Sequence, residues 1–254
     1  MANIFIVGKK GSKSRRAISD NTGIRLYKGG KADAIVNYGL SGIDLRKKLN
    51  TYSSARRTPI INGSVGLSKY LAVKDAGEKG ILVPESRLSL SRLAKLSDWI
   101  EKRVHSSQGK GIIAARGRNR IDGKYYQKMV KDRRFELRVH AFLWMPKEEW
   151  RINKRHGPAE QIAWNYHQGG HFQSVRYPNK YNVFKKAKDI AEKILKMRGM
   201  AFGAVDLIVD NDMKVYFIEV NASPGFTEFN QEVYFSAMRR LSEMSAREVA
   251  KFGR

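Results

Sequence analysis

The chain has 254 residues, 42% of them hydrophobic, with four tryptophans and no cysteine, which allows a packed globular protein of one large domain or two to three lobes and excludes pervasive disorder, disulfides, thiolate zinc sites and cysteine nucleophiles. Lys and Arg total 49 against 24 acidic residues, a net charge of +25, concentrated in 1–60 (13 basic, 3 acidic) and 101–156 (16 basic, 6 acidic); such a field attracts nucleic acid, nucleotides or other polyanions unless it is only a solvated surface. No apolar run reaches the length of a membrane span and the first residues lack a signal-peptide pattern, so a cytoplasmic protein without membrane partners is expected.

Residues 3–7 (Asn-Ile-Phe-Ile-Val) read as a first strand and Lys9 to Arg16 as a basic, glycine-containing connection. Ile24 to Tyr27 and Ala34 to Asn37 read as two further strands and 41–50 as a basic helix, the alternation of an α/β lobe. Asn62-Gly63-Ser64 carries turn and cap chemistry ahead of a helix over 65–78 that ends near Gly80. Ile81 to Pro84 is an extended piece, because Pro84 keeps its predecessor out of the helical region. Leu90, Leu93, Leu96, Trp99, Ile100 and Val104 then fall at helical spacing and predict a helix over 89–104. Gly111 to Ala115, Tyr125 to Val130 and Leu137 to Trp144 read as strands of a second lobe, with Ile162 to Trp164 and Phe172 to Tyr177 as further candidates. Val183 to Met197 is an amphipathic helix, and Glu232 to Lys251 reads as helical.

The most informative stretch runs from Phe202 to Phe226. Apolar residues in Ala-Val-Asp-Leu-Ile-Val and Val-Tyr-Phe-Ile-Glu-Val form two short strands, and Asp210-Asn211-Asp212 supplies a turn between them. Glu219 and Asn221 are two apart and share a strand face. A loop of two or four residues pairs Val209 with Lys214, sets Asp206 opposite Phe217 and leaves it diagonal to Glu219 on the same face; an odd loop would break that parity. Two carboxylates and an amide converging there suit a hard cation such as Mg2+. The plain alternative is a set of polar residues on a solvated strand face.

With these motifs in order, the chain resembles the ATP-grasp ligases, of the RimK-like kind found as small proteins in bacteriophages. The resemblance runs from about Asn37 to Phe226 and is most specific in Asp206…Glu219-x-Asn221-x-x-Pro224-Gly225. It implies an α/β protein with an N-terminal lobe (1–60), a small ATP-binding lobe (61–130) and a larger lobe with the metal ligands (131–254), with ATP held between two sheets. It implies ATP and Mg2+ (or Mn2+) as cofactors, small carboxylate and amine substrates, and an acyl phosphate that the amine attacks; a viral source would place it in the host cytoplasm.

Carried over residue by residue, Lys69 matches a helical lysine reaching the nucleotide phosphates. Arg116 stands where a strand-ending lysine is usual, before the loop Gly117 to Lys124, and keeps the capacity to grip phosphate. Gln127, Met129 and Val130 match the linker that meets adenine. Glu136 matches a ribose-binding position, and Arg138 an arginine near the transferred phosphate or acyl intermediate. Lys154 is favoured over Arg151 and Arg155 as a second basic residue on the next strand. Asn165 falls where an asparagine touches substrate or phosphate, and Asp206, Glu219 and Asn221 match the metal ligands. The competing readings are a nucleic-acid-binding protein that keeps the fold without catalysis, with Tyr125, Tyr126 and Phe135 for base stacking, and a kinase with a hydroxyl acceptor.

Overall fold

The computed structural model describes residues 1–63, 68–105, 112–158, 162, 164, 171–227 and 230–253. Three sheets follow one another along the chain. The first is parallel, in the order β2-β1-β3-β4, from β1 (Ile4–Gly8), β2 (Arg25–Leu26), β3 (Ala34–Tyr38) and β4 (Ile60–Ile61). Helices α1 (Lys13–Thr22) and α2 (Gly42–Leu49) make its crossovers. The sequence reading took the start of α1 for a loop because the helix buries only Ile18 and so has no apolar stripe; Ser12 caps its first turn and Gly23 ends it at φ +72°.

Helix α3 (Lys69–Glu78) then leads to the second sheet, antiparallel, ordered β5-β8-β6-β7: β5 (Ser86–Arg87), β6 (Trp99–Arg103), β7 (Ile113–Ala114) and β8 (Lys124–Lys128). The helix expected over 89–104 is therefore corrected. Leu93 is 97% exposed, while Leu90 and Trp99 pack with Ala115 and Tyr126 on one face of this sheet. Strand pairing of Trp99–Arg103 on both sides outweighs an accidental helical spacing of leucines.

The third sheet is antiparallel and carries the main core. Its order is β11-β10-β9-β12-β13, from β9 (Arg133–Phe142), β10 (Arg151–His156), β11 (His171–Ser174), β12 (Phe202–Asp210) and β13 (Val215–Asn221). Phe135, Leu137, Val139, Leu207 and Phe217 face one side, against α4 (Asn182–Met197). Helices α5 (Gln231–Glu243) and α6 (Ala246–Ala250) complete the chain, broken by a capping box at Ser245 and Glu248. The sheets fall within 4–61, 86–128 and 133–221, but the C-terminus returns to the first: Gly253 bridges Ile61 and the Ala2 amide donates to the Met244 carbonyl at 2.8 Å. Among the described residues no helix is long and apolar enough to cross a membrane.

Candidate active site

The β12–β13 register differs from the one expected. Val209 pairs with Val215 rather than Lys214, leaving five residues between the pair, and Met213 takes φ 61° to close the turn. That odd loop puts Phe217 opposite Leu207, in the core rather than opposite Asp206. A bulge then shifts the register by one, so Asp206 stands directly opposite Glu219, and Ala204 opposite Asn221. Asp206, Glu219 and Asn221 thus share a face by a route the sequence argument did not foresee.

On the other flank Asp206 pairs in register with Arg138, and Arg138 with Asn153. Glu136, Arg138 and Arg155 consequently project on the same face as Asp206. Arg138 holds Asp206 in a fork, Nε to Oδ1 and Nη2 to Oδ2, both at 2.7 Å, and Arg155 adds Nη2 to Oδ1 at 2.7 Å. Arg155 also donates to Glu136 at 3.1 Å, and Arg133 donates to the other Glu136 oxygen at 2.9 Å. Burial alone would raise the Asp206 carboxyl; the two guanidiniums outweigh it and hold the group well below the usual range. Glu136 moves the other way, because its burial exceeds the pull of Arg155 and Arg133. Each of its oxygens accepts from one of these arginines and keeps a second lone pair with which a ribose hydroxyl could bond.

Lys154 is corrected. It pairs with Leu137, on the opposite face of the sheet, and its ammonium lies 4.3 Å from the centre of the Phe135 ring. One step along the strand, Arg155 is the basic side chain that reaches the cluster. The error is one of parity: in a strand a single-residue shift changes the face.

The second sheet and α3 supply the facing wall. Lys69, the first residue of α3, sits with Nζ 2.6 Å from Glu219 Oε2. Lys102 of β6 was not singled out from the sequence because that segment was read as helix. It is 3% exposed and donates to Gln127 Oε1 at 3.0 Å; Gln127 in turn donates to Ser86 Oγ. Burial lowers the Lys102 ammonium, while the charges of Glu219, Glu136 and Asp206 act to raise it. The neighbouring Tyr125 hydroxyl is buried without a hydrogen-bond partner among the described residues, and burial and Glu219 raise its pKa. Arg116 does not join this group. It is exposed just after the edge strand β7, past the Ala115–Trp99 contact, and among the described residues forms no ion pair with the cluster's carboxylates. Asn165 lies outside the described residues.

Met129 and Val130 form the connection between the second and third sheets, with the Met129 amide bonded to the Asp98 carbonyl. A cavity of about 450 Å³ opens there, lined by Val83, Pro84, Met129, Val130 and Tyr216 together with charged residues of both signs. After Asn221 the chain turns onto the first sheet: the Tyr38 hydroxyl donates to the Pro224 carbonyl at 2.7 Å, and the Phe226 amide donates to Ser14. Gly39, at φ +85°, touches this turn so closely that a Cβ would lie 2.1 Å from Ser223 Oγ. The carboxyl end of a parallel β-strand therefore abuts the cluster, a usual place for a substrate in α/β sheets.

Residues 162–241 match the family model described as D-ala D-ala ligase C-terminus, under a third of the chain. No functionally curated protein sequence matches. Solved structures similar over nearly the whole chain include D-alanine–D-alanine ligase from Bacillus anthracis complexed with ATP (TM-score 0.61, 13% identity, 99% of each chain covered). The ATP-grasp ligase PsnB complexed with minimal precursor gives TM-score 0.59 at 13% identity, over 94% of this chain and 99% of that one. The macrocyclase MdnC bound with precursor peptide MdnA, from Microcystis aeruginosa, gives 0.56 at 12% identity, over 93% and 98%. These likenesses show the fold: the chain has the mixed α/β ATP-grasp fold.

Proposed function

We propose that this protein is an ATP- and Mg2+-dependent ligase that joins a carboxylate to an amine through an acyl phosphate. The observation that carries the reading is the Asp206–Glu219–Asn221 face, gripped by Arg138, Arg155 and Lys69 and opposed by Lys102 from a second sheet. Lys69, Lys102, Arg133, Arg138 and Arg155 gather around Glu136, Asp206 and Glu219, a concentration of cations suited to a polyphosphate.

The donor types fit magnesium, two carboxylates and one amide oxygen, and Asn221 Oδ1 is held in place by accepting from the Ser223 amide at 3.0 Å. The orphaned Tyr125 hydroxyl beside them fits a phosphate or metal-bound water as its missing partner. Asp206, Glu219 and Asn221 would hold the ion, which when bound neutralises charge on the phosphates. Acyl and phosphoryl transfer need alignment, charge neutralisation and exclusion of water more than covalent help from the protein. Arg138, Arg155 and Lys69 now rest on carboxylates and would exchange them for phosphate oxygens. Gln127 orients Lys102 toward the same place. Met129 and Val130 offer apolar contact and backbone groups to the adenine.

The neighbours that carry peptide precursors support a peptide as one substrate, and the one solved with Mg and ADP supports the metal nucleotide. The test is thermal unfolding with MgATP, followed by ADP release on addition of candidate amino acids and peptides. Ligand at a hundredfold over its Kd stabilises the wild type by about 2.7 kcal/mol, and Glu219→Gln should lose both that shift and turnover. No shift at millimolar MgATP would refute the proposal.

A further inference from the structure

The aromatic residues offered above for base stacking cannot serve. Tyr125 and Tyr126 are 1% exposed and Phe135 is 5% exposed, all within the fold. Two other tyrosines stand at the surface: Tyr177 is 54% exposed and Tyr181 is 52% exposed. They lie in the connection from β11 to α4, on the edge of the third sheet opposite β13 and outside the Asp206 cluster.

Their surroundings are cationic. The Arg176 guanidinium carbon is 5.4 Å from the Tyr177 ring centre, and the Lys180 ammonium lies between the rings, 6.0 Å from Tyr177 and 5.7 Å from Tyr181. Lys185 and Lys186 extend the exposed charge along the first turns of α4. From His171 to Lys188 the sequence contains no carboxylate. The next acidic residues, Asp189 and Glu192, are paired with Lys147 at 2.7 and 2.6 Å, and among the described residues no carboxylate forms an ion pair with Arg176, Lys180, Lys185 or Lys186. Phe184 meets the Tyr181 ring edge-on at 5.9 Å and fixes its position.

We infer that Tyr177, Tyr181, Arg176, Lys180, Lys185 and Lys186 form a docking surface for single-stranded nucleic acid. Half-open aromatic rings with a cation between them match the two repeating features of a single strand, an unstacked base and a phosphate. A duplex hides its base faces and would use only the cations. An acidic protein could pair with the cations, but it lacks the regular alternation of planar base and phosphate that a ring–cation–ring array accommodates. The basic face of α2, with Arg46 and Lys47, carries charge without an exposed aromatic ring, and so lacks the feature that selects a single strand.

The experiment is a fluorescence anisotropy titration of the full chain with a short labelled oligouridylate, with a duplex of equal length and polyglutamate as competitors. Tyr177→Ala and Tyr181→Ala should each weaken binding about tenfold, and the Phe substitutions should restore it. Lys180→Gln should reduce the slope of log K against log salt by about 0.7, whereas the tyrosine changes leave that slope intact. Arg46→Gln with Lys47→Gln should change affinity little. The inference is overturned if the Ala variants bind like wild type, if duplex competes as well as single strand, or if polyglutamate displaces the oligonucleotide at equal charge. Circular dichroism of each variant separates lost binding from lost fold.

Discussion

Replacing His140 tests the buried polar layer beneath the cluster. His140 is fully buried in β9, two residues from Arg138 on the same face. Asn230 Oδ1 accepts from the Thr227 amide at 2.9 Å, which turns its Nδ2 toward His140 Nε2 at 3.3 Å. Nε2 must therefore accept, and Nδ1–H donates to the Tyr234 hydroxyl at 2.9 Å. A second proton would face the Asn230 amide hydrogens. Burial, with Arg138 next in effect, pushes the imidazole down to about 3. The unfolded chain titrates near about 6.5 and binds more protons than the folded one between those values. The stability contribution is thus complete above about pH 6.5 and is lost as pH falls toward 3, at about 1.4 kcal/mol per pH unit. Urea unfolding followed by tryptophan fluorescence should show wild type losing about 2–3 kcal/mol more than His140→Gln between about pH 6.5 and 4.5. Parallel curves for the two proteins would refute a neutral, buried His140.

Arg155→Gln should lower turnover by about a hundredfold or more, whereas Lys154→Gln, on the other face, should stay within a few-fold of wild type; ADP release measures both. Tyr125→Phe removes a buried hydroxyl that has no partner among the described residues, so melting without ligand should be unchanged or higher while MgATP affinity falls several-fold by calorimetry. Asn62→Ala should cost about 2–4 kcal/mol in chemical unfolding, because its side chain donates to the Phe202 carbonyl at 3.0 Å and accepts from the Ala201 amide at 2.8 Å, both buried.

Strand faces were legible where polarity alternates: Glu136, Arg138 and His140 against Leu137 and Val139 lie as their spacing requires. What depends on parity over a distance was not. Lys154 and Arg155 are equally basic neighbours, and only the pairing with Glu136 selects the second. Lys102 was hidden by a leucine spacing that mimics a helix, and Trp99-Ile100-Glu101-Lys102 puts one apolar and one charged residue on each strand face, so no alternation of polarity marked it as strand. Lys13 to Arg16, read as part of a connection, were misread for the opposite reason: α1 has a cap and a terminator but almost no buried surface. Turn chemistry at Asp210 to Asp212 was visible, but the length of the loop it closes was not.

The bulge in β13 gives its seven residues a division of labour. Before it, Val215 and Phe217 are committed to the core; after it, Glu219 and Asn221 face the cluster while Val220 turns back to the interior. Without the extra residue Phe217 and Glu219 would compete for one side of the sheet. Evolution can therefore retune this strand in two independent halves. Variation at 215 and 217 is felt as folding yield, and variation at 219 and 221 as chemistry. A library randomised across the hairpin should show two classes of failing clones that separate at Ile218.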